Sequence, residues 1–159
     1  MSEKTYVIFL RYHTKLNILL RMQIKVQRID KDFRMEAANE DGHSVTLDAS
    51  SAAGGHDAGM RPMQLLLAGI GSCSAIDIIS ILRKQRQTLD DIKITVDGER
   101  KPNQVPSLFT KIHLHYELFG DLDEAKVKRA IELSVEQYCS VAKMVEKVAE
   151  ITYDYSIVR

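Results

Sequence analysis

The chain has no tryptophan, three prolines and only two cysteines. Cys73 and Cys139 lie 66 positions apart in 159 residues, which excludes a disulfide-stapled scaffold and any Cys-x-x-Cys motif. An excess of charge of one sign is also missing. The 22 basic residues balance 22 acidic ones and are scattered along the chain, so there is no electrostatic footprint for nucleic acid or an anionic membrane. Low-complexity tracts and internal repeats are absent. Near the N-terminus, the apolar stretch from Thr5 to Leu10 is soon interrupted by Arg11, His13 and Lys15. It makes neither a signal peptide nor a span of roughly 18 apolar residues. Residues 1–21 therefore read as an extension upstream of a start at Met22, with an extra strand as the other reading. Residues 22–159 are long enough for one domain with a real core and too short for two. Without a secretion signal a reducing cytoplasm is the expected location, and free thiols persist there.

What is present is mostly alternation. Ile24 and Val26, then Phe33 to Ala37, then Val45 to Leu47 are separated by the turn formers Asp30-Lys-Asp32 and Asn39-Glu-Asp-Gly42. This spacing predicts an antiparallel meander of three short strands. Ser50 to Gly59, with three glycines, predicts a flexible loop. Pro62 then opens a long helical pattern, since proline is tolerated in a first turn. From Leu65 to Leu82 that pattern is apolar on nearly every side and predicts a helix buried on most faces. Asp77, two glycines and three serines inside it argue against a membrane span. Cys73, Asp77, Ser80 and Lys84 recur at helical spacing and form its one polar stripe.

Further along, Ile92, Ile94 and Val96 predict a strand, and Lys101 to Ser107 a loop. Ile112 to Leu118 predicts a second strand, with Lys111, His113, His115 and Glu117 on its other face. Asp121 or Asp123 can cap a helix whose stripe is Val127, Ala130, Ile131, Ser134, Val135 and Tyr138. Ser140 can cap another carrying Val141, Met144, Val145 and Val148, and Ile151 to Ile157 closes as a strand. Strands segregated from helices indicate an α+β fold.

Taken alone, Cys73 reads either as a small core hydrophobe or as a member of the polar stripe. Cys139 stands at a predicted helix start, where the dipole and free N–H groups favour a thiolate. His113 and His115 share a strand face as two metal ligands do, but no third ligand sits at useful spacing, and a solvated face is the expectation. His56, in the glycine-rich loop, is placed to line a pocket mouth.

The segment Pro62-Met-Gln-Leu-Leu-Leu-Ala-Gly-Ile-Gly-Ser-Cys-Ser-Ala-Ile-Asp77, continued by Ile78 to Leu82, resembles the central-helix motif of the OsmC/Ohr family. Glu136-Gln-Tyr-Cys-Ser-Val-Ala-Lys-Met144 resembles its second cysteine motif, and Leu108 to His115 is similar to the segment between them. The likeness covers roughly residues 22–159. It implies an OsmC-like α+β fold: antiparallel sheets around a long buried central helix, in an intertwined homodimer with the two cysteines close together. It also implies a chemistry in which Cys73 attacks an organic hydroperoxide and becomes a sulfenic acid. Cys139 then condenses with it to a disulfide, which an external dithiol such as a lipoyl protein reduces. No metal or bound cofactor is expected.

The sequence departs from the peroxidase branches in its activating residues. There a glutamate follows the helix-opening proline and pairs with an arginine that activates the first cysteine; here the residues are Met63 and Gln64. In the first strand–strand turn Lys31 is the nearest substitute for that arginine, with Arg28 and Arg34 as neighbours. A lysine supplies a point charge and not a bidentate fork. Asp77, one turn beyond Cys73, raises the thiol pKa if it is ionised and unpaired. The Pro-Met form resembles a less characterised OsmC-like branch. The expectation is a cytoplasmic, dimeric thiol peroxidase for organic hydroperoxides, serving oxidative or osmotic stress. The alternative is a non-catalytic relative that holds a small apolar ligand at the dimer interface.

Overall fold

The computed structural model describes residues 21–159. The two readings of the N-terminal extension fall outside those residues. Contacts along the chain cluster into two units, Met1–Pro62 and Met63–Arg159.

In the first unit, strands β1 (Ile24–Arg28), β2 (Met35–Asn39) and β3 (Ser44–Leu47) form the antiparallel meander that the turn residues predict. Both turns use one device, a side-chain carbonyl or carboxylate oxygen that gathers backbone N–H groups ahead of it. Asp30 Oδ1 accepts from the N–H groups of Asp32 (2.9 Å) and Arg34 (3.1 Å). Asn39 Oδ1 accepts from Asp41 (3.1 Å) and His43 (2.9 Å), and Gly42 supplies the left-handed φ of 84° that closes the second turn.

The glycine-rich segment after β3 is not the flexible loop that its composition predicts. Asp48 is buried, and its carboxylate accepts from the N–H groups of Ala49, His56 and Ala58 at 2.8, 3.0 and 3.1 Å. These bonds, that from Ala58 foremost, hold its carboxyl below the ordinary range. One buried anion thus pins both ends of the loop, and glycine count alone misses it.

The second unit is a helix-covered sheet. Helix α1 (Pro62–Lys84) is followed by β4 (Asp91–Arg100) and β5 (Phe109–Phe119). Next come α2 (Glu124–Leu133), a π-helical turn at Ser134–Tyr138, α3 (Ser140–Val145) and β6 (Glu150–Val158). The sheet order is β4-β5-β6. β4 and β5 are antiparallel, and β6 runs parallel to β5. The reason is the connection: a helical crossover lies between β5 and β6, and such a crossover returns the chain in the same direction.

α1 lays Ile70, Gly71, Ser74, Ile78 and Leu82 against this sheet, spacings that recur on one helical side. They meet Ile112, Leu114, Tyr116 and Leu118 from β5 and Val127, Ala130 and Ile131 from α2. β4 approaches closely at Gly98, where a Cβ would stand 2.5 Å from the Phe109 ring. The other side of α1 carries exposed apolar residues: Leu66 is 46% and Ile76 65% exposed. By length and composition α1 also suffices to cross a bilayer, yet one side of it is built into this core. Asp123 caps α2 by accepting from the Lys126 N–H at 3.0 Å. Cys139, and not Ser140, is the N-cap of α3.

Ile78 has no exposed surface, so Ile78→Ala should destabilise the protein by about 2–5 kcal/mol. Urea denaturation followed by circular dichroism reads this, and a loss under about 1 kcal/mol would mean that the α1 packing described here is wrong.

Candidate active site

The second unit brings together two residues that the sequence separates by 66 positions, Cys73 and Cys139. Their sulfurs and a carboxylate oxygen of Asp77 all lie within 4.8 Å of one another. α1 supplies Cys73 and Asp77, one turn apart, as the polar stripe predicts; Ser80 and Lys84 further along that stripe face solvent. Cys139 arrives through the π-helical turn. Its N–H donates to Ser134 O, five residues back, at 2.8 Å. The extra residue rotates the chain beyond an α-helical path. As a result Tyr138, predicted on the buried stripe of α2, is 56% exposed, while Cys139 turns inward with no exposed surface.

As the N-cap of α3, the Cys139 sulfur accepts from the Ala142 N–H at 3.4 Å, and its S–H donates toward Ile70 O at 3.9 Å. The helix-start position was expected to favour a thiolate. Burial outweighs it and pushes the Cys139 thiol up to about 12, with the Ala142 N–H opposing and the neighbouring Cys73 adding to the rise. Cys73 is half-buried at the edge of the apolar cluster. The pair is therefore unequal: one accessible thiol, and one shielded thiol held protonated.

Behind the thiols lies a chain of buried hydroxyls. Tyr116 OH and Ser74 Oγ are 2.7 Å apart, Ser74 Oγ and Ser134 Oγ 3.0 Å, and Ser134 Oγ donates to Asp77 Oδ2 at 3.4 Å. Tyr116, Ser74 and Ser134 are all at most 1% exposed. Burial pushes the Tyr116 phenol up to about 12 although Ser74 hydrogen-bonds to it. Sequence reasoning missed this chain. Its one available signal was Ser134, a hydroxyl inside an otherwise apolar stripe.

The remaining candidates have partners within their own units. His113 Nδ1 meets Thr152 Oγ1 at 2.8 Å, His115 Nδ1 pairs with the Asp154 carboxylate, and His113 Nε2 is 3.5 Å from that same carboxylate. All belong to the outward-alternating positions of β5 and β6. His56 pairs with Asp32 at 2.9 Å on the surface of the first unit. Of the arginine substitutes, Arg34 Nε lies 3.5 Å from Asp30 Oδ2, and Arg28 donates to Lys31 O at 3.5 Å. Met63 packs against the core of the second unit, so no acid stands where the peroxidase branches carry their glutamate. On the first unit, Asp30, Asp32 and His56 lie close enough together to hold a metal ion, an arrangement that exposed acidic groups commonly show without one.

Residues 54–154 match the family described as "OsmC-like protein". The chain belongs to the OsmC-like protein family. Protein YhfA of Escherichia coli K12 is 42% identical over 139 residues, covering 86% of this chain and 98% of its own. A crystal structure of a hypothetical protein from Aquifex aeolicus is 30% identical, covers 87% of this chain and 98% of its own, and superposes with a TM-score of 0.72. The organic hydroperoxide resistance protein OhrB of Bacillus subtilis shares the fold, with a TM-score of 0.63 at 18% identity over 87% of this chain and 99% of its own. These likenesses carry the α+β OsmC-like fold.

The unequal burial sets an order of reactivity. Burial keeps the Cys139 thiol protonated at neutral pH, and the protonated form is the unreactive one. Limiting iodoacetamide should therefore label Cys73 and spare Cys139 in the native protein, as mapped by peptide mass. Equal labelling of both would overturn the burial assigned to Cys139.

Proposed function

We propose that this OsmC-like protein is a cysteine-based peroxidase for organic hydroperoxides, working as a homodimer in the cytoplasm without a bound metal or cofactor. Membership of the OsmC/Ohr family suggests a stress-response or peroxide-related role. The observation that carries the finer reading is the pairing of a half-exposed Cys73 with a buried Cys139 inside 4.8 Å. That arrangement suits one attacking and one resolving thiol.

The steps balance as follows. The Cys73 thiolate attacks the distal oxygen of ROOH, the O–O bond breaks, and the alkoxide takes a proton and leaves as ROH. Cys73 is now a sulfenic acid. The Cys139 sulfur attacks it, an S–S bond forms, the S–O bond breaks, and water departs. An external dithiol, such as a lipoyl group, reduces the disulfide by exchange and is itself oxidised. Bonding requires the sulfurs to close to about 2.05 Å. Because Cys73 packs against an apolar cluster, hydroperoxides with an organic tail suit the site better than hydrogen peroxide.

The exposed apolar residues of α1, Leu66 and Ile76, support the homodimer: a second copy is the partner that the family fold supplies for them. A second reading, a non-catalytic protein binding a small apolar ligand at that interface, is favoured by Met63 standing where an activating acid is expected.

A small excess of cumene hydroperoxide should lower the intact mass of the reduced protein by two hydrogens. Cys73→Ser should abolish the reaction, and Cys139→Ser should stop it at the sulfenic acid, trapped with dimedone. An unchanged mass in the wild type would sink the peroxidase reading and leave the ligand-binding one.

A further inference from the structure

Cys139 poses a chemical problem that its burial creates. To attack any partner on Cys73 it must lose its proton, yet its surroundings are dry and its S–H points at a backbone carbonyl, Ile70 O, which cannot take the proton away. Within the second unit the histidines, His113 and His115, occupy the outward face of β5. The ionisable acceptor that this unit places at the sulfurs is Asp77, whose carboxylate lies within 4.8 Å of both, a separation that one water or a small shift of the chain closes.

The hydroxyl chain explains why a carboxylate is held there. An ionised carboxylate only accepts hydrogen bonds. Ser134 Oγ has two acceptors at 3.4 Å, Asp77 Oδ2 and the Ser74 carbonyl oxygen. With its proton on Asp77, Ser74 Oγ at 3.0 Å and the Tyr116 hydroxyl behind it at 2.7 Å line up as successive donors, and in a low-dielectric interior such a chain polarises cooperatively. An apolar core gains nothing from three buried hydroxyls unless each is satisfied. Here the chain ends on the Asp77 carboxylate, one oxygen of which lies within 4.8 Å of both sulfurs.

We propose that Asp77, oriented by the Ser134–Ser74–Tyr116 hydroxyl chain, is the proton shuttle for Cys139 in this OsmC-like site. It accepts the proton from the Cys139 S–H as that sulfur attacks Cys73, and delivers it to the departing group. In the peroxide cycle the departing group is the hydroxyl of the Cys73 sulfenic acid, which leaves as water when the S–S bond forms and the S–O bond breaks. Asp77 ends in the form in which it began.

The inference rests on Cys73 and Cys139 acting as a pair, but its test can do without peroxide. The aromatic disulfide DTNB reacts with an accessible thiol, releasing one coloured thiolate, and Cys139 then displaces a second as the protein disulfide closes. The wild type should release two equivalents in two phases. Asp77→Asn, nearly identical in shape, should leave the first phase unslowed and retard the second on the order of 100-fold, and Asp77→Glu should recover much of it. A second phase at the wild-type rate in Asp77→Asn overturns the proposal. If that variant does not fold, Ser134→Ala carries the same test, since it keeps the carboxylate and removes its tether: a slowed second phase supports the shuttle and an unchanged one overturns it. A wild type that closes its disulfide with DTNB yet ignores cumene hydroperoxide overturns the peroxidase reading and leaves this one standing. Release of a single equivalent by the wild type overturns both.

Discussion

Burying Ser74 is the constraint on which the second unit depends. The residue sits in the stripe Ile70, Ser74, Ile78, Leu82 that α1 lays on the sheet, and its hydroxyl has no solvent to turn to. A buried hydroxyl without a partner costs about 1–3 kcal/mol. The partners it finds are Tyr116 from β5 and Ser134 from the turn after α2. Three elements distant in sequence are thereby held in one register, and a slip of any of them leaves a polar atom stranded. Apolar packing sets how tightly α1 lies on the sheet; this bond network sets where it lies.

The same dryness governs the thiols. Cys139 is pushed toward the protonated form by burial although it caps a helix and accepts the Ala142 N–H. Cys73, one residue before Ser74, turns a further 100° or so around the helix and stays half-exposed. Two cysteines of the same intrinsic chemistry thus differ in role because one helical step separates Cys73 from the buried stripe while a π-helical turn points Cys139 into it. Within the second unit, the carboxyl group that lies beside the thiols is that of Asp77.

Much of this was legible in the residues. The hairpin turns at Asp30 and Asn39, the Pro62 helix start, the Asp123 cap and the alternating strands each follow from local chemistry, and local chemistry is what a sequence displays. Cys73 and Asp77 sharing a helix face was legible for the same reason. Less local features were read wrongly. The loop at 50–59 looked free because its anchor, Asp48, lies before it and acts through three backbone N–H groups. β6 was read as a strand without its parallel direction, which depends on the crossover.

By itself, then, the sequence determined the element order, the α+β class, the family and the two cysteines as candidates, since motifs and hydrophobic periodicity are written in nearest neighbours. Only the tertiary structure decided that the two sulfurs meet and that Asp77 joins them. It alone decided that Cys139 is the shielded member, and that a tyrosine and two serines converge on the same carboxylate. Those outcomes depend on which groups lose their water when distant segments pack, and desolvation is a property of the folded neighbourhood that no single stretch of chain carries.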